Sequence, residues 1–250
     1  TGRSSLEPSL VEQIDDMRLL ENAGLWEIAR RARAVVMHAP GAAEVMAQQT
    51  GVTPFLLPFA NQRVPATPEV TESMRAEAKA RLGWDATRLH VTSFGYVDIR
   101  TKLSDEVVEA AAWLHDWGVP VSLHLAGSAN DAMTRQLTDR ARRVGLDMTI
   151  SGFLSEQAYR DHLLATDVGL QLRVSPYLGV SGPLSDLAAW GTPCVASRGL
   201  AFDVGAPAYV ARLPDVASPL QAAEAIERVV NEPLDPSARE EDRRAYLEAK

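Results

Sequence analysis

The sequence predicts an α/β fold, a Rossmann-like parallel sheet with helices on both faces. Three observations carry that reading. Short apolar runs alternate with amphipathic segments from Ala34 onward. The apolar runs end in small-residue turns, as in Ser93-Phe94-Gly95 and Leu125-Ala126-Gly127. The segments between them carry helix punctuation, with Gly83 and Gly145 as stops and Ser104-Asp105-Glu106 as an acidic first turn behind a serine cap. Strands separated by one helix each imply right-handed crossovers and a parallel sheet covered on both sides.

In order along the chain, Val35–His38 reads as a strand, Ala42–Gln49 as a helix and Phe55–Leu57 as a second short strand ending at Pro58. Residues 61–71 hold two prolines, Pro65 and Pro68, and little apolar pattern, which marks a linker and a domain boundary. A helix then runs to Leu82. The strands His90–Phe94, Val121–Leu125, Met148–Ser151, Val168–Leu172 and Cys194–Ala196 follow. Helices lie between them, one over Asp131–Val144 and one starting at Ser155. Ala217–Asn231 and Pro236–Lys250 read as the last two helices. The resulting division is a remnant of one α/β domain over 1–60, a linker over 61–70, the main domain over 65–233 and a terminal helix over 234–250.

Composition sets bounds on function. The chain has 250 residues, room for one large domain or one domain plus part of a second. A net charge of −8 argues against a nucleic-acid partner, and the basic runs at Arg30–Arg33 and Arg140–Arg143 sit late in helical patterns as solvated faces. The single cysteine, Cys194, excludes an internal disulfide framework and reads as a small core residue. No apolar run reaches membrane-spanning length, and no signal pattern is present, so a cytoplasmic location is the default. The chain begins at Thr1 without Met and is read as a fragment of a longer protein.

In a parallel sheet of this kind ligands sit beyond the carboxyl ends of the strands. The candidate loops are therefore Gly95–Lys102, Ala126–Asn130, Ser151–Ser155, Arg173–Ser181 and Ser197–Val204. The Arg173–Ser197 segment is the most informative of these. Gly179, Val180, Ser181 and Gly182 form a small-residue turn into a short helix, a place where free N–H groups and the helix dipole suit a phosphate or diphosphate. The loop after Phe94 brings Arg100 and Lys102 beside the Gly95 turn, either as two solvated cations on a surface loop or, as the Ser181-Gly182 helix entry at the same edge favours, as a bidentate clamp and a point charge for a diphosphate. Asp186, one turn into the short helix, is placed either to accept from ribose hydroxyls or simply to favour the helix N-terminal half.

Other chemistries lack support. The five histidines show no metal-ligand spacing. His124 reads as a satisfied core side chain, His90, His115 and His162 as strand-start or helix-surface residues, and His38 as the one near a cleft. No Gly-x-Ser-x-Gly elbow, Walker A sequence or GxGxxG turn is present, which disfavours hydrolase, NTPase and classical NAD readings.

In order, the segments 35–38 (Val-Val-Met-His), 56–58 (Leu-Leu-Pro), 93–102 (Ser-Phe-Gly-Tyr-Val-Asp…Lys), 123–127 (Leu-His-Leu-Ala-Gly), 150–155 (Ile-Ser-Gly-Phe-Leu-Ser), 167–173 (Asp-Val-Gly-Leu-Gln-Leu-Arg) and 181–197 (Ser-Gly…Asp-Leu-Ala-Ala-Trp-Gly-Thr-Pro-Cys-Val-Ala-Ser) resemble the C-terminal half of the retaining GT-B glycosyltransferases of family 4. The resemblance runs from about Ala32 to the end of the chain and is strongest between Val91 and Ser197. It implies transfer of a sugar from a UDP- or GDP-type nucleotide-sugar donor to an unidentified glycan, lipid or small-molecule acceptor, as in polysaccharide biosynthesis, with no metal or other cofactor.

By the same resemblance, Gly95 and Lys102 contact the donor diphosphate and Gly152, Phe153 and Leu154 frame the nucleobase through their backbone. Ser181 and Gly182 hold the phosphates, and Asp186 binds ribose. Gly127, Arg173, Gly179 and Val180 complete the donor edge. Lys102 and Arg100 carry the catalytic role of stabilising the departing diphosphate. Two departures stand out. Tyr96 occupies the place where the family often has arginine, which Arg100 has to compensate. The earlier of two glutamates eight apart falls at Leu178 or Gly179, with no carboxylate. That loss leaves a non-catalytic homologue as an alternative, beside a sugar-nucleotide epimerase of the same architecture. The terminal helix would, by resemblance, cross back to an acceptor domain largely missing from this chain.

Overall fold

The computed structural model describes residues 27–60, 63–65, 69–174 and 179–250. The chain divides into two compact units, residues 1–57 and 58–250. In the first, a helical stretch over 27–31 precedes β1 (Val36–Met37), α1 (Pro40–Thr50) and β2 (Phe55–Leu56). β1 and β2 pair in parallel, with Val36 opposite Phe55. α1 starts earlier than the apolar pattern suggests because Pro40 lies in its first turn, where a missing N–H costs nothing. His38 sits at the end of β1, its Nδ1 3.0 Å from the Leu57 carbonyl oxygen.

The second unit comprises α2 (Glu72–Leu82), β3 (Leu89–Phe94), α3 (Ser104–Asp116), β4 (Val121–Ala126), α4 (Asp131–Arg143), β5 (Asp147–Ile150), α5 (Glu156–Ala165), β6 (Val168–Gln171), α6 (Gly182–Ala189), β7 (Cys194–Ser197), α7 (Arg198–Asp203), β8 (Val210–Leu213), α8 (Pro219–Asn231) and α9 (Pro236–Glu248). Its six strands form one sheet in the order β5-β4-β3-β6-β7-β8, all pairs parallel. The sheet is built outward in both directions from its middle, so the order reverses between β3 and β6. A crevice therefore opens beyond the carboxyl ends of those two strands.

The core lies on both faces of the sheet. On one, Val107, Ala111 and Leu114 of α3 and Ala222 and Ile226 of α8 pack on Val91, Leu123, Leu170 and Val195. On the other, Leu163 of α5 and Leu184 and Leu187 of α6 pack with Phe94, Cys194 and Ala196. Fully burying each such aliphatic side chain contributes roughly 1.5–3 kcal/mol. Gly169 allows α6 to approach β6, since a Cβ there would lie 2.7 Å from Leu187 Cδ1.

Four sequence expectations are corrected. Ser104 does not cap α3: Leu103 precedes the helix at φ 51°, and the Ser104 hydroxyl instead accepts from the Asp98 N–H at 3.0 Å. Residues 197–204, expected as an edge loop, contain the helix α7. β8 has only four residues and no alternating signal, and it was not anticipated. His90 and His162 are buried rather than superficial.

His90, His162 and the expected core residue His124 surround Trp84. The Trp84 ring stacks on His124 at 3.7 Å between centroids. His90 Nε2 donates to the Asp85 carbonyl at 2.8 Å, so its Nδ1 accepts from His124 Nε2 at 3.0 Å, and His124 Nδ1 accepts from the Thr149 hydroxyl at 2.9 Å. That chain of bonds closes with both rings neutral. Burial lowers the pKa of all three histidines, that of His124 to about 3 with His90 and His162 adding to the effect.

α9, capped by Asp235 at Ser237 and Ala238, packs on α6, with Arg243 Nη1 donating to the Ala189 carbonyl at 3.2 Å.

Candidate functional site

β3 ends in Phe94, and Gly95 turns the chain at φ 105°, a conformation that only glycine adopts without strain. The turn lies against the next strand's loop: Gly95 N–H donates to the Ala126 carbonyl, and a Cβ on Gly127 would fall 1.8 Å from the Gly95 carbonyl oxygen. Gly127 is thus a close-approach position that keeps the two loops stacked at the crevice.

The same turn meets Lys102 and the start of α6. A Cβ built on Gly95 would lie 2.8 Å from Lys102 Nζ and 3.6 Å from Pro183 Cγ. Lys102, Gly95 and the α6 N-terminus therefore converge at one rim. Lys102 Nζ lies 3.5 Å from the Phe94 carbonyl oxygen. Burial, with Arg173 nearby, lowers the Lys102 pKa to about 7. Arg173 is itself buried, its Nη1 donating to the Leu172 carbonyl and its backbone N–H to Ser197 Oγ. Arg100, in contrast, is exposed beside Asp98; burial pushes that carboxyl up, but the Thr101 and Arg100 contacts outweigh it and hold it below the usual range. The second cation acting on Lys102 is Arg173, not Arg100.

The α6 tip is less bare than its sequence suggests. Ser181 caps the helix by accepting from the Leu184 N–H at 3.3 Å, its carbonyl takes the Ser185 N–H, and Pro183 has no N–H. Among the described residues this leaves the Gly182 N–H of the first turn for a ligand. Gly179 and Val180 lie half-buried just before this tip. Leu178 falls outside the described residues.

Beside the rim lies a cavity of about 540 Å³ lined by Gly95, Tyr96, Gly127, Gly152, Phe153 and Leu154, all six named from sequence. Phe153 is 92% exposed. Ala126, Ser128, Arg63, Glu156 and Tyr159 complete the lining. The last three were not anticipated. Glu156 opens α5 directly after the Ser155 cap, so the cap was the available signal for it. Arg63 stands in the proline-rich segment, where nothing in the local pattern distinguishes it.

Asp186 is buried behind this lining. Its Oδ2 accepts from Tyr159 OH at 3.1 Å and from Arg63 Nη1 at 3.3 Å. Burial pushes its carboxyl above the usual range, and those two bonds offset part of the rise. A larger opening of about 830 Å³ lies at Trp190 and Gly191, the opposite end of α6 from Ser181. Its arginines face glutamates, as in the Arg239–Glu72 and Arg244–Glu69 pairs. Among the described residues no group of three or more His, Cys, Asp or Glu side chains is arranged to hold a metal ion, and no helix is long and apolar enough to cross a membrane.

Neither a protein-family model nor a curated protein matches the sequence. Solved structures do. HepE from Anabaena, in complex with UDP, superimposes with a TM-score of 0.75 at 17% identity over 97% of this chain and 65% of that one. Sucrose-phosphate synthase from Thermosynechococcus elongatus gives 0.73 at 20% identity over 99% of this chain and 60% of that one. WaaG, a glycosyltransferase involved in lipopolysaccharide biosynthesis, gives 0.69 at 14% identity, covering 86% and 58%. These solved chains are GT-B glycosyltransferases. The chain has a GT-B fold. It spans less than two thirds of each of those GT-B chains, and its six-stranded parallel sheet flanked by helices matches their Rossmann-like architecture.

Proposed function

We propose that this chain carries the donor-binding half of a GT-B glycosyltransferase that takes its sugar from a nucleotide-sugar. One observation carries the reading: Lys102, the Gly95 turn and the α6 N-terminus meet at the reversal point of the sheet, next to a cavity sized for a nucleoside. A UDP complex on a superimposable chain supports it. The diphosphate lies at the rim against Lys102 and the Gly182 N–H, the base between the Gly152–Leu154 loop and Tyr96, and the ribose toward Asp186.

In transfer, the bond from the anomeric carbon to the diphosphate oxygen breaks as a bond to an acceptor oxygen forms, with retention by resemblance to the family. Negative charge grows on the departing diphosphate. A buried ammonium and an aligned helix terminus stabilise that charge without reorganising, which is where a preorganised site contributes most. No metal is needed for that neutralisation. UDP is the first nucleotide to test, with GDP beside it; the acceptor and the cytoplasmic setting are part of the same proposal.

Isothermal titration with UDP, GDP and ADP tests the reading. Binding of one nucleotide, strongly weakened in Lys102→Ala, is the expected result. Absence of binding by all three to the folded chain overturns it in favour of a non-catalytic homologue.

A further inference from the structure

Arg63 stands between the cavity and Asp186. Its Nε donates to both Glu156 oxygens at 3.1 Å, its Nη1 to Asp186 Oδ2 at 3.3 Å, and its guanidinium lies 4.7 Å over the Tyr159 ring. The backbone is anchored as well, since Trp190 Nε1 donates to the Arg63 carbonyl at 2.9 Å. The Asp186 side chain is only 4% exposed, while Arg63, Tyr159 and Glu156 line the cavity in front of it. A ribose entering the cavity meets the guanidinium before it meets the carboxylate.

We propose that Arg63 controls ribose recognition: its guanidinium holds Asp186 until ribose hydroxyls replace it, then rests on Glu156 alone. The inference rests on the donor-site reading above. The contact surrendered is the single, longer one to Asp186, whereas the paired contact to Glu156 is kept. Glu156 is half-exposed and free to follow the guanidinium, with Arg160 Nε 3.4 Å from its Oε1 as a further neighbour. Tyr159 keeps its bond to Asp186 throughout, and the arriving hydroxyls donate to the oxygen that Arg63 leaves. The buried carboxylate is therefore never left without donors, which would be strongly unfavourable. Because the hydroxyls replace an ion pair rather than an empty site, they add less affinity than a ribose normally brings. Arg63 thus sets how strongly the site distinguishes a ribonucleotide from one lacking those hydroxyls.

The experiment compares calorimetric affinities of UDP and 2′,3′-dideoxy-UDP at pH 8 for the full chain, Arg63→Met and Glu156→Gln. Arg63→Met is expected to bind UDP about fivefold more tightly and dideoxy-UDP unchanged, the size of one solvent-accessible ion pair. Glu156→Gln removes the resting place of the guanidinium and is expected to weaken UDP by about the same factor. Opposite shifts in the two variants are the signature, because damage to the fold weakens both. Should Arg63→Met not fold, Arg63→Lys, which loses the forked contact, takes its place with a smaller gain expected. UDP binding by the parent chain with no gain in the Arg63 variant overturns the proposal and leaves the donor site standing. Failure of every protein to bind either nucleotide removes the donor-site reading and this proposal with it.

Discussion

Gly95 and Lys102 are in contact across the turn that follows β3, with room for no more than hydrogen on the glycine: an added Cβ would lie 2.8 Å from the ammonium nitrogen. The backbone there has φ 105°. Gly95→Ala is therefore strained twice, by its conformation and by displacing the amine from the rim. It should lose about 1–3 kcal/mol of stability in urea unfolding and bind UDP more weakly. Gly127→Ala should be worse, because its Cβ would meet the Gly95 carbonyl oxygen at 1.8 Å, and backbone cannot swing aside as an amine can.

Lys102 is held at a pKa of about 7 by burial and by Arg173. Only its protonated form attracts a diphosphate, so UDP affinity should fall as pH rises through 7, by at most about tenfold per pH unit. Lys102→Ala should bind weakly and show no such slope between pH 6 and 9. The stability of the unliganded chain should move the opposite way. In the unfolded chain the amine titrates near 10.4, so below that value folding must either release its proton or bury it charged, at a cost. Lys102→Met should accordingly stabilise the free protein at pH 6, by up to about 4 kcal/mol, read as a higher urea midpoint. A lower midpoint would contradict this account of the site.

The Trp84–His90–His124 stack predicts sensitivity to acid. All three buried histidines have pKa values below the ordinary one, so the unfolded state takes up protons first. Stability is then full above about pH 6.5 and falls as pH drops toward the folded values. His124 alone, at about 3, should cost about 3 kcal/mol by pH 4. Urea midpoints at pH 7.5, 6 and 4.5 measure this, and His124→Gln, starting from a lower stability, should show a shallower decline.

Ser181 contributes through its hydroxyl as well as its backbone, since Oγ caps the Leu184 N–H. Ser181→Ala should lose about 1 kcal/mol while retaining UDP binding through Lys102 and Gly182. Complete loss of binding in that folded variant would mean that the hydroxyl itself contacts the ligand.

The parallel sheet, its edge loops and most helix ends were readable in the sequence because each depends on a local rule. Gly83 stops α2 in the left-handed region at φ 68°, and Ser155 and Ser181 cap their helices through their own side chains. The loops that carry the six cavity-lining residues from Gly95 to Leu154 were legible because they follow strand ends, and the family resemblance singled out the residues within them. Ser104 misled because a serine before an acidic pair has two possible partners, and the long loop before it supplied the Asp98 N–H instead.

Composition and periodicity by themselves determined an α/β chain whose strands end at one edge, with glycines where backbone must turn or approach closely. Only the tertiary structure decided which charges share that edge. It chose Arg173 rather than Arg100 as the companion of Lys102, and it brought Arg63 to Asp186 across 123 residues of chain. Turns and caps are settled by neighbours a few bonds away. Ion pairs between distant segments depend on where packing of the whole sheet delivers each side chain, and no local pattern encodes that.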